Sequence, residues 1–216
     1  WNNDLGLPLS LLEMAPADRH GVFEIGMNHP GELAPLCALL RPDWGVMTRI
    51  GPVHLEFFED EAAIADEKAT LVRALPPGGL AVLAADEPWF ERVAQAARCR
   101  VVTVALAPAE ADYAGRAAPG GGLVVRERTG AESFHPLPGP GVAVLRNALR
   151  AVAVGREAGI PAERIAQALA GFRLPPMRGG EVDVAGVRWF NDAYNASPLS
   201  LEEAVATFAA SVPGRR

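Results

Sequence analysis

The sequence predicts an α/β fold in which helices cover a mostly parallel sheet, and three observations carry that reading. Short runs rich in β-branched residues alternate with longer Ala/Leu/Glu stretches, as expected when each strand is followed by a crossover helix. Proline and glycine clusters punctuate the runs and leave little room for long loops. Near Leu123 the pattern changes to two short strands split by Thr129-Gly130, an antiparallel pair appended to the parallel core.

Taken in order, Gly21 to Ile25 reads as a strand and Gly31 to Leu40 as a helix stopped before Pro42. Gly45 to Thr48 is the next strand. Glu61 to Leu75 is a helix ended by Pro76-Pro77-Gly78-Gly79, and Leu80 to Leu83 is a strand. A helix near Trp89 to Ala97 and a strand from Arg100 to Ala105 complete a βαβαβαβ unit. The antiparallel pair covers Leu123 to Arg128 and Ser133 to Leu137, and two helices follow at Val142 to Glu157 and Ala162 to Ala170. Paired prolines and glycines from Leu174 to Gly180 interrupt any regular element, so a domain boundary is placed there, giving domains 1–176 and 177–216. Beyond it come strands at Glu181 to Val184 and Val187 to Asn191 and a helix from Leu199 to Ala210, too little chain for a core of its own.

Composition narrows the function. The 216 residues carry 20 Lys+Arg against 26 Asp+Glu, a net charge of −6, which argues against a general nucleic-acid binder that must displace counterions from phosphates. Half the residues are apolar and 21% charged, which excludes intrinsic disorder. Apolar runs such as Leu80 to Ala85 fall far short of the ~18 residues a membrane span requires. Cys37 and Cys99 have neither disulfide nor zinc-ligand spacing, which fits a reducing cytoplasm. The chain opens on Trp1 inside a motif, with no initiator Met and no leader pattern, and is expected to be an excised fragment.

Ligands of open parallel sheets bind beyond the carboxyl ends of the strands, so polar residues there are the candidates. Glu24 ends the first predicted strand and leads into Gly26-Met27-Asn28-His29-Pro30-Gly31-Glu32; it reads either as a Mg2+ ligand beside a nucleotide phosphate or as a capping, ion-paired carboxylate. His54 follows the second predicted strand and reads as a metal ligand, a hydrogen-bond donor or a loop histidine. Lys68, flanked by Asp66 and Glu67 within a helix, reads by itself as a surface lysine. Asn2-Asn3-Asp4-Leu5-Gly6-Leu7-Pro8 is consistent with a ligand loop or a helix start, and Asn191 to Pro198 with a polar turn after a strand. No stretch holds the glycine-rich Lys-Ser/Thr phosphate loop, and Gly120-Gly121-Gly122 is no substitute because it precedes a hairpin strand.

Together these segments resemble the Mur ligases, and within that family the MurF type. Asn2-Asn3-Asp4-Leu5-Gly6-Leu7-Pro8-Leu9 is similar to the family's NN-x-x-G-x-P-L segment, and Glu24-Ile25-Gly26 through Gly31-Glu32-Leu33 to its E-[LIM]-G-x-x-x-x-G-E-[IL] element. His54-Leu55-Glu56 with Lys68 fourteen residues on has the family's spacing, and Asp192 to Pro198 is similar to D-S-Y-N-A-N-P. The order of the four segments is more specific than any one of them.

The resemblance implies a P-loop NTPase-like central ATPase domain lacking its N-terminal part, followed by a truncated C-terminal α/β domain. It implies an ATP-dependent amide ligase of peptidoglycan precursor synthesis, monomeric and cytoplasmic. Such a ligase joins D-alanyl-D-alanine to UDP-N-acetylmuramoyl-tripeptide through an acyl phosphate. Glu24, His54 and Lys68 are implied as the catalytic, Mg2+-holding set, with Lys68 carbamylated. A lysine ammonium about 4 Å from a divalent cation is repelled by about 8 kcal/mol at an effective dielectric near 20, whereas a carbamate is attracted by a similar amount. Forming it requires the neutral amine, so the lysine pKa must be depressed. Asn147, Arg178, Asp192 and Asn195 are implied at the nucleotide, and Asn2 and Asn3 at the substrate.

The sequence departs from the family pattern at Arg49, Glu59, Thr70, Ala143 and Val144. The resemblance further implies that the phosphate loop and the UDP-binding domain precede Trp1, so the fragment alone is expected not to hydrolyse ATP. Two alternatives remain at this stage: a sister ligase using another amino acid or extending folate with glutamate, and a ligase-like nucleotide-binding protein without catalysis.

Overall fold

The computed structural model describes residues 2–139 and 141–211. Fifteen elements appear among them: α1 (Gly6–Leu12), α2 (Leu33–Leu40), β1 (Trp44–Val46), α3 (Glu61–Ala74), β2 (Leu80–Ala84), α4 (Phe90–Ala94), β3 (Arg100–Leu106), β4 (Tyr113–Ala117), β5 (Leu123–Glu127), β6 (Glu132–His135), α5 (Val142–Glu157), α6 (Ala162–Gly171), β7 (Gly180–Val184), β8 (Val187–Asn191) and α7 (Pro198–Ser211). Strands β1 to β6 form one sheet in sequence order, and β7 and β8 form a second. β1 runs parallel to β2 and β3 parallel to β4, while β5 and β6 are antiparallel additions, so the α/β class with a small antiparallel extension is borne out.

The chain folds as two compact units, the first reaching Leu83 and including Glu87–Val102, the second made of Ala84–Asp86 and the chain from Thr103 onward. In the first, α3 starts where the Asp60 carboxylate accepts the Ala63 N–H at 2.8 Å, and Leu75, in extended conformation before Pro76, ends it. Its Ile64, Ala65, Ala69 and Val72 are buried, packing with Leu83 and Val93. All five residues of β2 are buried, the pattern of an interior parallel strand covered on both faces. A Cβ at Gly79 would collide with the Asp43 carbonyl oxygen, so the Pro-Pro-Gly-Gly turn needs glycine there to bring β2 beside β1.

Residues 21–25, expected as a strand, are irregular. Their apolar content fits a strand, but a strand exists only with a pairing partner, and among the described residues the sheet begins at β1. A helix at 6–12 also forms, where the sequence left a loop or helix start open.

In the second unit β4 was not anticipated. Tyr113–Ala117 has little β propensity, but β4 pairs with β3 on one side and all five of its residues pair with β5 on the other. Gly115 lets α5 close on the sheet, since a Cβ there would lie 3.0 Å from Leu149. Arg156 of α5 donates to Glu127 of β5 at 2.6 Å and the Tyr113 hydroxyl to Glu157 at 3.0 Å, fastening helix to sheet. The β7–β8 turn places Ala185 and Gly186 at φ 53° and 78°, the left-handed pair of a tight two-residue hairpin, with the Gly186 N–H bonded to Asp183. Residues 172–179, between α6 and β7, form neither helix nor strand. No helix among the described residues is long and apolar enough to cross a membrane.

Candidate functional site

In the first unit, two of the sequence motifs meet at Glu24. The Asn2 side-chain amide donates to its carboxylate at 2.9 Å, and the Gly26 N–H donates to the Asn2 carbonyl at 3.0 Å. Gly26 permits this approach, because a Cβ would sit 3.0 Å from the Asn2 amide nitrogen. Asn2, expected on the substrate, therefore also orients Glu24, while the Asn3 carboxamide oxygen accepts the Gly6 N–H at 2.8 Å and starts α1. Further along the loop, the Glu32 carboxylate accepts the Asn28 N–H at 2.7 Å and lies 2.9 Å from His29 Nδ1. Those bonds, the Asn28 N–H foremost, hold Glu32 below the usual carboxylate range.

His29 links this loop to the next, its ring centroid 4.1 Å from that of Phe57. His54 is exposed with φ 58°, a left-handed conformation uncommon for a side-chain-bearing residue, and its carbonyl accepts the Phe57 N–H at 2.9 Å. The preceding stretch is tied to α3, where Lys68 Nζ donates to the Arg49 carbonyl at 2.6 Å. Burial pushes the Lys68 pKa down, with Glu87 opposing, so the neutral amine is more accessible than on a surface lysine. Glu67 faces elsewhere and caps α2 by accepting the Leu33 N–H at 3.0 Å.

In the second unit, Asn147 is exposed on α5. The Arg178 guanidinium lies 3.9 Å from the centroid of the Tyr194 ring, and the Tyr194 N–H donates to the Met177 carbonyl at 3.1 Å. Asp192 is half-buried just after β8, and Asn195 is exposed with its carboxamide oxygen on the Ala196 N–H at 2.8 Å. Ser197 and Ser200 exchange bonds at the start of α7, fixing the loop's far end. Sequence reasoning missed Tyr194 as a partner of Arg178; an aromatic residue inside a polar turn was the available signal.

Among the described residues no three His, Cys, Asp or Glu side chains gather as a metal cage. What the first unit offers instead is a Glu24 carboxylate held from one side by Asn2, an exposed imidazole, and a lysine amine of lowered basicity. An unmodified lysine ammonium would repel a divalent cation rather than ligate it.

Residues 1–155 match the model of the Mur ligase middle domain. The chain belongs to the Mur ligase family. The UDP-N-acetylmuramoyl-tripeptide--D-alanyl-D-alanine ligase of Bacillus subtilis is 31% identical over 95% of the chain and 44% of its own length. The enzyme of that description from Escherichia coli is 30% identical over 100% of the chain and 48% of its own length. A crystal structure of MurF from Acinetobacter baumannii superposes with a TM-score of 0.88 at 26% identity, covering 96% of the chain and 46% of that protein. The chain thus spans about half the length of the Mur ligases it matches, and both units of the fold have counterparts in them.

Proposed function

We propose that the protein to which this chain belongs is a MurF-type, ATP-dependent amide ligase. It joins D-alanyl-D-alanine to UDP-N-acetylmuramoyl-tripeptide, and it is a monomer of the cytoplasm. The observation that carries the reading is the similarity of almost the whole chain, at about 30% identity, to ligases named for that reaction. In the proposed reaction the substrate carboxylate attacks the γ-phosphate of ATP, ADP leaves, and the dipeptide amine displaces phosphate from the acyl phosphate. Positioning and charge stabilisation dominate such chemistry.

Before turnover Lys68 takes up carbon dioxide, which the ligation itself neither consumes nor releases. The neutral amine attacks its carbon, a C–N bond forms and one proton is lost, leaving a carbamate in place of a cation. The lowered basicity of Lys68 supports this role, because the amine must be unprotonated to attack. Glu24, oriented by Asn2, would hold Mg2+ together with His54 and the Lys68 carbamate. When bound, Mg2+ neutralises charge on the transferring phosphoryl group. Asn2 and Asn3 serve the substrate side. Arg178 contacts a nucleotide phosphate, Asp192 the ribose, and Asn147 and Asn195 lie at the nucleotide.

We place the domain boundary at 176/177 and assign the irregular stretch around it as the hinge about which the C-terminal domain closes. Small-angle scattering of the full-length protein should differ with and without an ATP analogue and substrate. The chain by itself is proposed to be inactive.

Phosphate release from ATP by the full-length protein tests the reading, with UDP-N-acetylmuramoyl-tripeptide and D-alanyl-D-alanine supplied together and singly. Release that requires both is the expected result. Release with another amino acid in place of the dipeptide would make it a sister ligase, and no release with any acceptor would leave a nucleotide-binding protein.

A further inference from the structure

The cation–π contact between Arg178 and Tyr194 does something a salt bridge would not. Among the described residues no carboxylate pairs with the Arg178 side chain, which meets the Tyr194 ring at 3.9 Å. A guanidinium held on an aromatic ring keeps its N–H donors at the edge of its plane, whereas a carboxylate partner would occupy two of them. The stack is anchored from behind. Met177, in the left-handed conformation at φ 60°, has its carbonyl held by the Tyr194 N–H at 3.1 Å, so one residue fixes both the backbone before Arg178 and the plane of its side chain. A Cβ built on Gly179, at φ 71°, would lie 3.5 Å from the Phe190 ring of β8, so the residue after Arg178 runs beside the hairpin as well.

We infer that Tyr194 is a positioning residue for Arg178, a ring platform that orients the guanidinium with its donors free for the oxygens of a nucleoside polyphosphate. The inference rests on the reading of Arg178 as a nucleotide contact. It adds that the aromatic ring of Tyr194, and not its hydroxyl, sets the affinity, and that it does so only through Arg178.

Equilibrium binding of a non-hydrolysable ATP analogue with Mg2+ to the full-length protein, measured by calorimetry, tests this in a double-mutant cycle. Tyr194 is 60% exposed, so its replacement leaves the fold in place, and melting temperatures of all variants should agree within a few degrees. Tyr194→Leu should weaken binding about two- to fivefold, equivalent to about 0.4–1 kcal/mol, the range of an exposed cation–π contact. Tyr194→Phe should bind as wild type. Arg178→Ala should weaken binding more, and adding Tyr194→Leu to it should change nothing further. Full additivity, or wild-type affinity in Tyr194→Leu, would overturn the positioning role while leaving Arg178 at the nucleotide. Wild-type affinity in Arg178→Ala would instead overturn the reading on which the inference stands.

Discussion

Helix α3 and the β7–β8 hairpin each carry or adjoin residues proposed for the ligase site, and they place them by different means. Four residues of α3 are buried, its start is capped by Asp60, and the burial that stabilises it also lowers the basicity of Lys68. The hairpin has no buried residue, and Val182, Val184, Val187 and Trp189 share one face, each about half exposed. Around it, Arg178, Tyr194 and Asn195 are set by local contacts: a ring, a main-chain bond and an Asn side chain on the next residue's N–H. The core can tune a group's proton affinity, because desolvation acts on the charged form. A surface turn tunes only direction. Chemistry that needs an uncharged lysine belongs on the first kind of element, and charge presented to a diffusing polyphosphate suits the second.

The sharpest way to break this comparison is to weaken the core beneath Lys68. Ile64 is fully buried on α3, so Ile64→Ala should cost about 2–5 kcal/mol in chemical denaturation, through lost burial and a residual cavity. Lys68→Ala should lower phosphate release by the full-length ligase about 100-fold or more, with little change in melting temperature. If its loss of activity tracked a loss of stability, Lys68 would be structural.

The second unit has its own buried titratable group. His135 on β6 is fully buried, with Nε2 2.9 Å from the Ser133 hydroxyl and Nδ1 without a hydrogen-bond partner among the described residues. Burial pushes its pKa below the ordinary histidine value, so between the folded and unfolded values the unfolded chain binds more protons. Stability therefore falls as pH falls through this window. His135→Leu should flatten the pH dependence of stability as pH falls below the ordinary histidine value of about 6.5, where one proton taken up on unfolding contributes a slope of at most about 1.4 kcal/mol per pH step of one. Denaturation curves of the two proteins across that range check it. Glu32 and Asp66, whose pKa values are lowered, lose their contributions only at more acid pH, and Lys68 acts on the alkaline side.

Smaller effects sharpen the contrast. Asn2→Ala removes the orienting bond on Glu24 and should cost about fivefold in activity, near the ~1 kcal/mol typical of one hydrogen bond. Asp66→Asn breaks the pair with Arg92, in which both side chains are about half exposed. It should change stability very little, and less again at high salt.

How much of this was legible in the sequence follows from where each element draws its stability. Helix α3 could be read because its signals are local: a capping Asp60, apolar residues at helical spacing and a Pro-Pro stop. β4 could not, because Tyr113–Ala117 owes its strand to neighbours on both sides. The stretch at 21–25 misled in the opposite direction, with strand-like residues and no pairing partner among the described residues. The site shows the same division. The order of the motifs announced the family, and the family model confirms it. The bond from Asn2 to Glu24 and the stack of Arg178 on Tyr194 join residues distant in sequence, and only the folded chain displays them.

The central claim is that a half-buried lysine amine is turned into a carboxylate-like ligand. The most direct test is chemical rescue of the full-length Lys68→Ala variant by short carboxylic acids such as acetate or propionate, read as substrate-dependent phosphate release. Partial restoration that saturates with acid concentration, and that is absent in a Glu24→Ala control, is the predicted result. No restoration in Lys68→Ala, with its fold intact, would contradict the account.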